Sequence, residues 1–166
     1  MSKTTRLGWI AYAVAIVVIL VDQLSKAWIL GPFDLLDRGV VGLLPFLQLQ
    51  LVRNQGVSFG LLTSHGEFGR WALVVFETGV ALVLAAWARR NERPVLAVAL
   101  GFVMGGAIGN VIDRARFGAV TDFIDVTALH FPWVFNLADS AINIGVALLL
   151  WDALTTSKPA ATSGRA

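Results

Sequence analysis

The sequence contains no cysteine, and only 14% of its 166 residues are charged. The absence of cysteine excludes disulfide bonds, thiolate catalysis and a zinc site built on sulfur. Hydrophobic residues make up 57% of the chain, which is too apolar for a water-soluble globular protein of this length. The composition therefore predicts a membrane protein with a single domain.

Histidine is scarce as well, which limits the metal sites that the chain can build. Neither of the two histidines, His65 and His130, has a second histidine three or four residues away. That spacing is what places two imidazole ligands on one face of a helix. We therefore expect no metal site and no cofactor.

Long apolar runs dominate the sequence instead. Crossing about 30 Å of hydrocarbon takes roughly 20 apolar residues in a helix. Four stretches fit: residues 7–30, about 68–88, 95–112 and about 133–154. Lys3 and Arg6 precede the first run as in a secretory signal peptide, but no small-x-small cleavage site follows, so we expect an uncleaved span. The predicted fold class is an α-helical polytopic membrane protein with four transmembrane helices.

Two more polar segments, at about 31–66 and 113–132, separate these spans. In the first segment, leucines at positions 47, 49 and 51 alternate with residues 48, 50 and 52, which is the period of a half-buried strand. Asn54 and Gly56 then indicate a turn. Residues 1–154 are expected to form one membrane domain, and the small, polar residues 155–166 a disordered tail.

The third span carries a stripe of glycines. Gly101, Gly105 and Gly109 follow one another at intervals of four and therefore share a helix face. A face without side chains lets a second helix approach closely. We expect this helix to pack against a neighbour along that face.

Basic residues are distributed unequally between the two sides of the membrane. Four spans put both termini on one side, which has seven basic and two acidic residues, a net charge of +5. The opposite side, with the groups at the helix ends there, has six basic and nine acidic residues, a net charge of −3. Because cytoplasmic loops carry an excess of lysine and arginine, both termini are predicted to be cytoplasmic and the two long connections to face outward.

With this topology, many polar residues collect in one layer at the outer membrane surface. They are Asp22, Lys26, Asn54, Asn110, Asp113, Arg114, Asp122, Asn136 and Asp139. Asp139 lies inside an apolar run, where a carboxylate is costly to insert and therefore indicates a partner or a function. A transporter would keep such groups near the midplane between repeated halves, and the sequence has no internal repeat. The layer predicts a site at the interface.

Five motifs of the chain resemble those of one known family, the bacterial lipoprotein signal peptidases, also called signal peptidase II. In the family's order they are VDQLSK at 21–26, RNQGVSFG at 53–60, GGAIGNVIDR at 105–114, VTDFIDV at 120–126 and FNLADSAINIG at 135–145. The resemblance covers nearly the whole chain. It implies an aspartyl endopeptidase that uses Asp122 and Asp139 as a catalytic pair and needs no metal.

The resemblance also implies a substrate and a set of supporting residues. The substrate would be a prolipoprotein, cleaved on the amino side of a cysteine that carries diacylglycerol. The segment around 43–62 would form a small periplasmic sheet that cradles this substrate. Residues that would support the site or contact the substrate are Asp22, Lys26, Asn54, Gly56, Asn110, Arg114 and Asn136.

A location and partners follow from the same resemblance. We expect a multi-pass protein of the bacterial inner membrane with cytoplasmic termini and a periplasmic active site. The expected partners are diacylglyceryl prolipoproteins, membrane lipid and globomycin-type cyclic peptide inhibitors. Nucleic acid is not an expected partner, and the chain is expected to act as a monomer.

Several supporting residues also have a purely structural interpretation. Asp22 and Lys26 are spaced for an ion pair at a helix end. The asparagines at 54, 110 and 136 and Arg114 could be buried hydrogen-bonding residues that hold the helix ends together. Arg114 lies four residues after Asn110, so the two could reach the fourth helix together, and its guanidinium is suited to bind carbonyls or a carboxylate.

Other polar residues are expected to have no catalytic role. Asp125 is the rival for the place of Asp122, which matches the family pattern better. Asp113 and Arg116 are expected to be solvated charges, and Asn143 a hydrogen-bonding residue in helix packing. Glu77, inside the second span, is expected to be protonated or paired with a polar group, and no function is assigned to it.

Two functions from other classes compete with the peptidase. The same polar layer could belong to a non-enzymatic membrane protein that binds lipid or peptide. It could also belong to an ion or proton carrier.

Overall fold

The computed structural model describes residues 3–56, 67–131 and 133–156. The elements follow in the order α1 (Arg6–Leu30), α2 (Leu35–Arg38), β1 (Val41–Leu44), β2 (Leu47–Asn54), α3 (Glu67–Ala88), α4 (Pro94–Phe117), β3 (Val120–Asp125), β4 (Val134–Phe135) and α5 (Leu137–Thr156). A single 3-10 turn, Thr127–Leu129, joins β3 to β4. By length and hydropathy, α1, α3, α4 and α5 can each cross a membrane. The predicted fold class is confirmed.

Helix α4 lies at the centre and packs against α1, α3 and α5. In its apolar window 67% of the residues are buried, compared with 22% in α1. Its glycines explain this position. A Cβ atom on Gly101 or Gly105 would come within 2.7 Å of the carbonyl oxygen of Ala11 or Ala15 in α1. The predicted close packing along the glycine face is therefore confirmed.

The contact between α4 and α5 also depends on glycine. Gly106 lies directly against the carbonyl of Ala138, and a Cβ atom on Gly145 would come within 2.9 Å of the carbonyl oxygen of Ala99. The two backbones therefore touch near both positions. This contact fixes the first turn of α5 beside the last turns of α4.

The outer surfaces of the four long helices are apolar. Exposed side chains include Ile16 on α1, Val75 on α3 and Leu150 on α5. In a bilayer such side chains contact acyl chains, while the helices satisfy their own backbone hydrogen bonds. The apolar exterior is therefore the expected surface of a membrane-embedded bundle.

One end of the bundle is closed by polar contacts between chain segments. The backbone N–H of Thr5 donates to the carbonyl of Arg89 (3.0 Å), and its hydroxyl donates to the carbonyl of Asn91 (2.6 Å). Arg93 forms a 2.8 Å ion pair with Asp152. This end carries the start of α1, the α3–α4 connection and the last turns of α5.

The other end of the bundle carries an antiparallel sheet in the order β1-β2-β3-β4. Strand β2 pairs with β3 so that Val52 lies opposite Asp122, after an irregularity in the register between Leu49 and Val52. Phe123 of β3 is buried with Leu49 and with Ile29 at the end of α1. This apolar contact anchors β3 above the helix ends.

Two helix boundaries differ from the sequence predictions. Helix α4 continues to Phe117, where Gly118, with a φ of 77°, ends it, so residues 113–117 are helical and not part of a connection. Helix α5 begins at Leu137 and not near residue 133, because Val134 and Phe135 pair with β3. The first change brings the polar side chains of Asp113, Arg114 and Arg116 onto a helix.

The sheet also differs from the prediction. The alternating pattern after residue 43 correctly indicates β2. Strand β3 comes from the second connection and β4 from the start of the predicted fourth span, and neither was predicted as a strand. Residues 57–62 of the predicted sheet segment lie outside the described residues, as do His65 and residues 157–166 of the tail.

Candidate active site

Asp122 enters the site from β3. Its side chain is only 1% exposed, although it lies on a strand near the membrane surface. The side-chain amide of Asn136 donates to its Oδ1 at 2.7 Å, and the side-chain amide of Asn54 donates to its Oδ2 at 3.0 Å. Both donors are uncharged amides, so they orient the carboxyl group but supply no positive charge that would balance its ionised form.

Asp139 enters from the first turn of α5. The side-chain amide of Asn110 on α4 donates to its Oδ1 at 2.8 Å, and the backbone N–H of Asn136 donates to its Oδ2 at 3.2 Å. The backbone N–H of Asp139 in turn donates to Oδ1 of Asn136 at 2.9 Å. This reciprocal pair is the geometry of a capping box, and a negative charge is favourable at a helix N-terminus.

Asn136 joins the two carboxyl groups. Its side chain is completely buried, donates to Asp122 and to Oδ1 of Asn110 (3.3 Å), and accepts from Asp139. The side chain of Asn136 therefore orients the carboxyl group of Asp122, and its backbone N–H, together with the amide of Asn110, orients that of Asp139. The structure thus brings the two predicted catalytic residues together with two of the predicted supporting residues, Asn110 and Asn136.

Burial and the neighbouring charge change the acidity of Asp122. Removal from water disfavours the ionised carboxylate, and the charge of Asp139 disfavours it further. Together these effects raise the pKa of Asp122 to about 7. Asp122 can therefore keep its proton up to about neutral pH.

A buried ionic cluster lies behind the pair. Lys26 Nζ is 2.8 Å from Oδ2 of Asp22 and 3.1 Å from Oδ2 of Asp113, and all three side chains are at most 4% exposed. Asp22 Oδ1 accepts the backbone N–H of Ala138 at 3.0 Å, and Asp113 Oδ2 accepts that of Thr121 at 2.8 Å. The cluster therefore ties α1 and α4 to α5 and β3, one residue away from each catalytic candidate.

The position of Asp113 corrects the sequence prediction of a solvated charge. It is 1% exposed because α4 continues past residue 112 and keeps this side chain against α1. Gln23, which was not singled out, also joins the cluster by donating to Asp22, Asp113 and the carbonyl of Gly109. The sequence did contain a signal for the burial of Asp113, because this residue follows Gly109 by four positions and therefore lies on the buried glycine face of α4. Arg116 is exposed, as expected.

Arg114 does not contact either carboxyl group of the pair. Its Nη1 donates to both carboxylate oxygens of Glu77 on α3, at 2.9 and 3.0 Å, so Glu77 is paired inside the bundle. The expectation that Arg114 would reach α5 with Asn110 is therefore wrong for Arg114 and correct for Asn110. Arg114 Nε is buried and has no hydrogen-bond partner among the described residues.

The Asn54 turn places its amide above Asp122. Oδ1 of Asn54 accepts the backbone N–H of Gly56 at 3.1 Å, while its amide nitrogen donates to Asp122. This side chain-to-backbone bond turns the chain immediately after β2. Gly56 therefore acts on the site through Asn54.

Asp125, the rival of Asp122, is directed elsewhere. Its carboxylate accepts the backbone N–H of Thr127 at 2.8 Å and the side-chain amide of Gln48 at 2.6 Å. The bond from Thr127 lowers the pKa of Asp125, which makes it a turn-capping anion. Within the described parts of the chain, no group of three potential ligands is placed to hold a metal ion.

A cavity of about 530 Å³ opens beside the pair. Polar side chains in its wall are Asn54, Asp139 and Asn143. The rest of the wall is mostly apolar and comes from the segment between β3 and α5 and from β4: Val126, Leu129, Phe131, Trp133, Val134 and Phe135. The cavity can therefore hold a molecule that is largely apolar and has a few polar groups.

Fold and site define a class of protein: a four-span membrane enzyme with a carboxyl pair at one end of its bundle. The model of the signal peptidase (SPase) II family matches residues 14–155. A lipoprotein signal peptidase of Caulobacter vibrioides is 52% identical over 158 residues, 93% of this chain and 92% of that protein. One of Shewanella baltica is 42% identical over 160 residues, 94% of this chain and 91% of that protein. The chain belongs to the signal peptidase II family.

Solved structures agree with this assignment. Two structures of a bacterial membrane enzyme superpose with TM-scores of 0.75 and 0.77 at 27% identity. They cover 96% and 95% of this chain and 98% and 99% of their own chains. The predicted family, the enzyme class of aspartic-type signal peptidase and the function in removing signal peptides from prolipoproteins are confirmed.

Proposed function

We propose that Asp122 and Asp139 are the catalytic pair with which this chain hydrolyses the peptide bond before the diacylglyceryl cysteine of a prolipoprotein. The observation that carries the proposal is Asn136, whose side-chain amide donates to the carboxyl group of Asp122 and whose backbone N–H donates to that of Asp139. Two carboxyl groups bonded to one residue, beside an open cavity, can position a single water molecule between them.

The two aspartates have different tasks in this reaction. Asp122 carries the proton, because it is buried and its pKa is raised to about 7. Asp139, which is partly exposed at the cavity wall, is the ionised base. Environments that separate the acidities of two neighbouring carboxyl groups assign the roles of acid and base in this way.

The reaction then needs neither a metal ion nor a covalent intermediate. Asp139 takes a proton from the water as its oxygen attacks the scissile carbonyl, and Asp122 hydrogen-bonds the carbonyl oxygen where negative charge develops. The tetrahedral intermediate collapses when Asp139 passes the proton that it took from the water to the cysteine nitrogen and the carbon–nitrogen bond breaks. The products are the signal peptide with a free carboxylate and the lipidated cysteine with a free amine.

Other residues of the site hold this geometry. Asn54, Asn110 and Asn136 orient the carboxyl groups, and Gly56 allows the turn that carries Asn54. The cluster of Asp22 and Lys26 fixes the start of α5 through the backbone of Ala138. Arg114 supports the site from within the bundle, because its ion pair with Glu77 joins α4 to α3.

We infer that the site faces the periplasm from the inner membrane, with both termini in the cytoplasm. The charge difference of +5 against −3 between the two ends supports this orientation. The glyceryl group of a lipidated cysteine lies at headgroup depth, which is the level of the sheet end of the bundle. Membrane lipid surrounds the apolar helix faces, a monomer suffices for the site, and cyclic peptides of the globomycin type fit the apolar cavity as inhibitors.

The test uses purified protein and a synthetic diacylglyceryl signal-peptide substrate. Asp122→Asn and Asp139→Asn should each lower kcat by about 10²- to 10⁴-fold, the usual contribution of a general acid or base. Asp125→Asn is the matched control and should retain nearly wild-type activity, because asparagine keeps an acceptor for Thr127. The unlipidated precursor should remain uncleaved.

Wild-type rates in either Asp122→Asn or Asp139→Asn, with normal insertion, would refute the assignment of the pair. A chain that binds the lipidated substrate without cleaving it would favour the non-enzymatic lipid- or peptide-binding alternative.

A further inference from the structure

Among the described residues, Asn143 is the one asparagine whose side chain has no hydrogen bond. It lies on α5 four residues after Asp139 and lines the same cavity. Its side chain is exposed, and it has no side-chain hydrogen bond to any residue in the described ranges. It is therefore not the packing residue that the sequence suggested.

The other four asparagines make a useful comparison. Asn54, Asn110 and Asn136 bond to the catalytic candidates, and Asn91 bonds to the backbone of Arg93. Each of these amides has its partner within the protein. Asn143 has instead an open cavity in front of it.

Depth in the membrane makes this position costly. Four residues of helix correspond to about 6 Å, so Asn143 lies roughly one turn deeper in the bundle than Asp139. The neighbouring cavity wall is apolar, with Leu129 and Phe135 among its residues. An amide in such surroundings costs free energy unless the molecule that fills the cavity supplies a hydrogen-bond partner.

We propose that Asn143 is a specificity-determining residue whose side-chain amide hydrogen-bonds a carbonyl group of the substrate about one helical turn deeper than the bond that is cleaved. The inference rests on the proposed function of Asp139. Two substrate carbonyls fit that depth. One is a peptide carbonyl about two residues before the scissile bond, since an extended chain rises roughly 3.3 Å per residue. The other is an ester carbonyl of the diacylglyceryl group.

The experiment compares Asn143→Leu with wild type on the diacylglyceryl substrate. Leucine has nearly the shape of asparagine and removes only the amide. KM should rise roughly three- to tenfold, the value of one hydrogen bond, with kcat nearly unchanged because the bond is made in the bound state and the transition state alike. Asn143→Gln, which keeps the amide, should recover part of the loss.

Ile144→Leu is the matched control. This residue is the next one on α5, 49% exposed, and lines an apolar groove formed with α1 and not the cavity of the site. Its KM should stay at the wild-type value. An equal rise in KM for Ile144→Leu and Asn143→Leu would show a general packing effect and overturn the inference.

A second substrate with dialkyl ether chains distinguishes the two carbonyls. If Asn143→Leu raises KM only for the ester-linked substrate, the partner is the lipid ester. If KM rises equally for both, the partner is the peptide. A KM within twofold of wild type for both substrates, or a loss in kcat alone, overturns the inference. Failure of the catalytic proposal is visible separately, as activity in Asp139→Asn.

Discussion

At the scale of single residues, the two carboxyl groups of the site differ mainly in their access to water. Asp122 is buried on a strand between two amides, whereas Asp139 caps a helix at the wall of a cavity. Burial and the charge of Asp139 raise the pKa of Asp122 to about 7. Asp122 is thus partly protonated at neutral pH, as a general acid requires.

The raised pKa of Asp122 gives a prediction with a definite sign. Folding favours its neutral form, so the stability it contributes is complete below its ordinary pKa of 3.8 and lost as pH rises through about 7. Asp122→Asn removes this titration. The inactive variant should therefore have a higher Tm than wild type at pH 8, and the difference should shrink toward pH 4 in thermal unfolding.

Asp125→Asn serves as a control, because we expect it to change the Tm at pH 8 in the opposite direction. Its pKa is lowered by the bond from Thr127, so its ionised form stabilises the fold above its ordinary pKa. This variant should have a lower Tm than wild type at pH 8. A lower Tm for Asp122→Asn at pH 8 would contradict the assigned role of burial.

The ion pair between Glu77 and Arg114 gives a second prediction at this scale. Both side chains are at most 20% exposed, and two hydrogen bonds join them. Glu77→Gln leaves a buried guanidinium without its counter-charge and should cost about 1.5–3 kcal/mol of stability. The measurement is a double-mutant cycle with Arg114→Gln, read from unfolding in detergent.

Glu67 provides the matched control on the same helix. It pairs with Arg70, but its side chain is 76% exposed. Ion pairs that water reaches contribute little, so Glu67→Gln should leave the Tm nearly unchanged. Equal losses in Glu67→Gln and Glu77→Gln would mean that burial does not strengthen the inner pair.

At the scale of elements, the glycine face of α4 decides how the helices meet. Gly105→Ala would place a Cβ atom 2.7 Å from the carbonyl oxygen of Ala15 and 2.6 Å from Cβ of Val18. Helix α1 must move away, and with it Asp22 and Lys26. We expect both a lower Tm and a lower kcat, measured on the same preparation.

Gly79→Ala is the control for this substitution. Gly79 lies in α3 with no atom within 4 Å of the position that a methyl group would take, so alanine adds helix propensity without a clash. It should raise stability by up to about 1 kcal/mol and leave kcat unchanged. If Gly105→Ala raised the stability and left kcat unchanged, as expected for Gly79→Ala, the contact between α1 and α4 would not be as close as described.

At the scale of the whole molecule, the two ends of the helix bundle differ: one is held together by polar contacts between chain segments, and the other carries the candidate active site. Contacts of Thr5, Arg93 and Asp152 close the first, and the sheet and the carboxyl pair occupy the second. Because the helices are long enough to cross a membrane, these two ends lie on opposite sides of it. The orientation of the protein therefore decides which compartment supplies the substrate.

The cysteine-free chain makes this orientation testable. Single cysteines at Asp37→Cys, beside the sheet, and Arg90→Cys, at the opposite end, both occupy exposed positions. In intact cells with a permeable outer membrane, a charged maleimide should label the first. The second should react only after the inner membrane is opened. The reverse pattern would contradict the predicted cytoplasmic termini.

Composition and spacing alone determined the four spans, the glycine face, the collection of polar residues in one layer and β2. These features depend on local periods and on the count of charges at span ends, which a sequence displays directly. The same reasoning placed Asp122, Asn136 and Asp139 in one layer. That Asp122 and Asp139 are a catalytic pair, and that Asn136 supports them, stays a prediction.

Tertiary structure alone decided which polar groups meet. Asp22 accepts a bond from Ala138, 116 residues away, and Asp113 turns from a solvated charge into a buried partner of Lys26. Arg114 pairs with α3 and not with α5. Such pairs depend on the rotation and approach of packed helices, and these are properties of the assembled bundle that no single stretch of sequence contains.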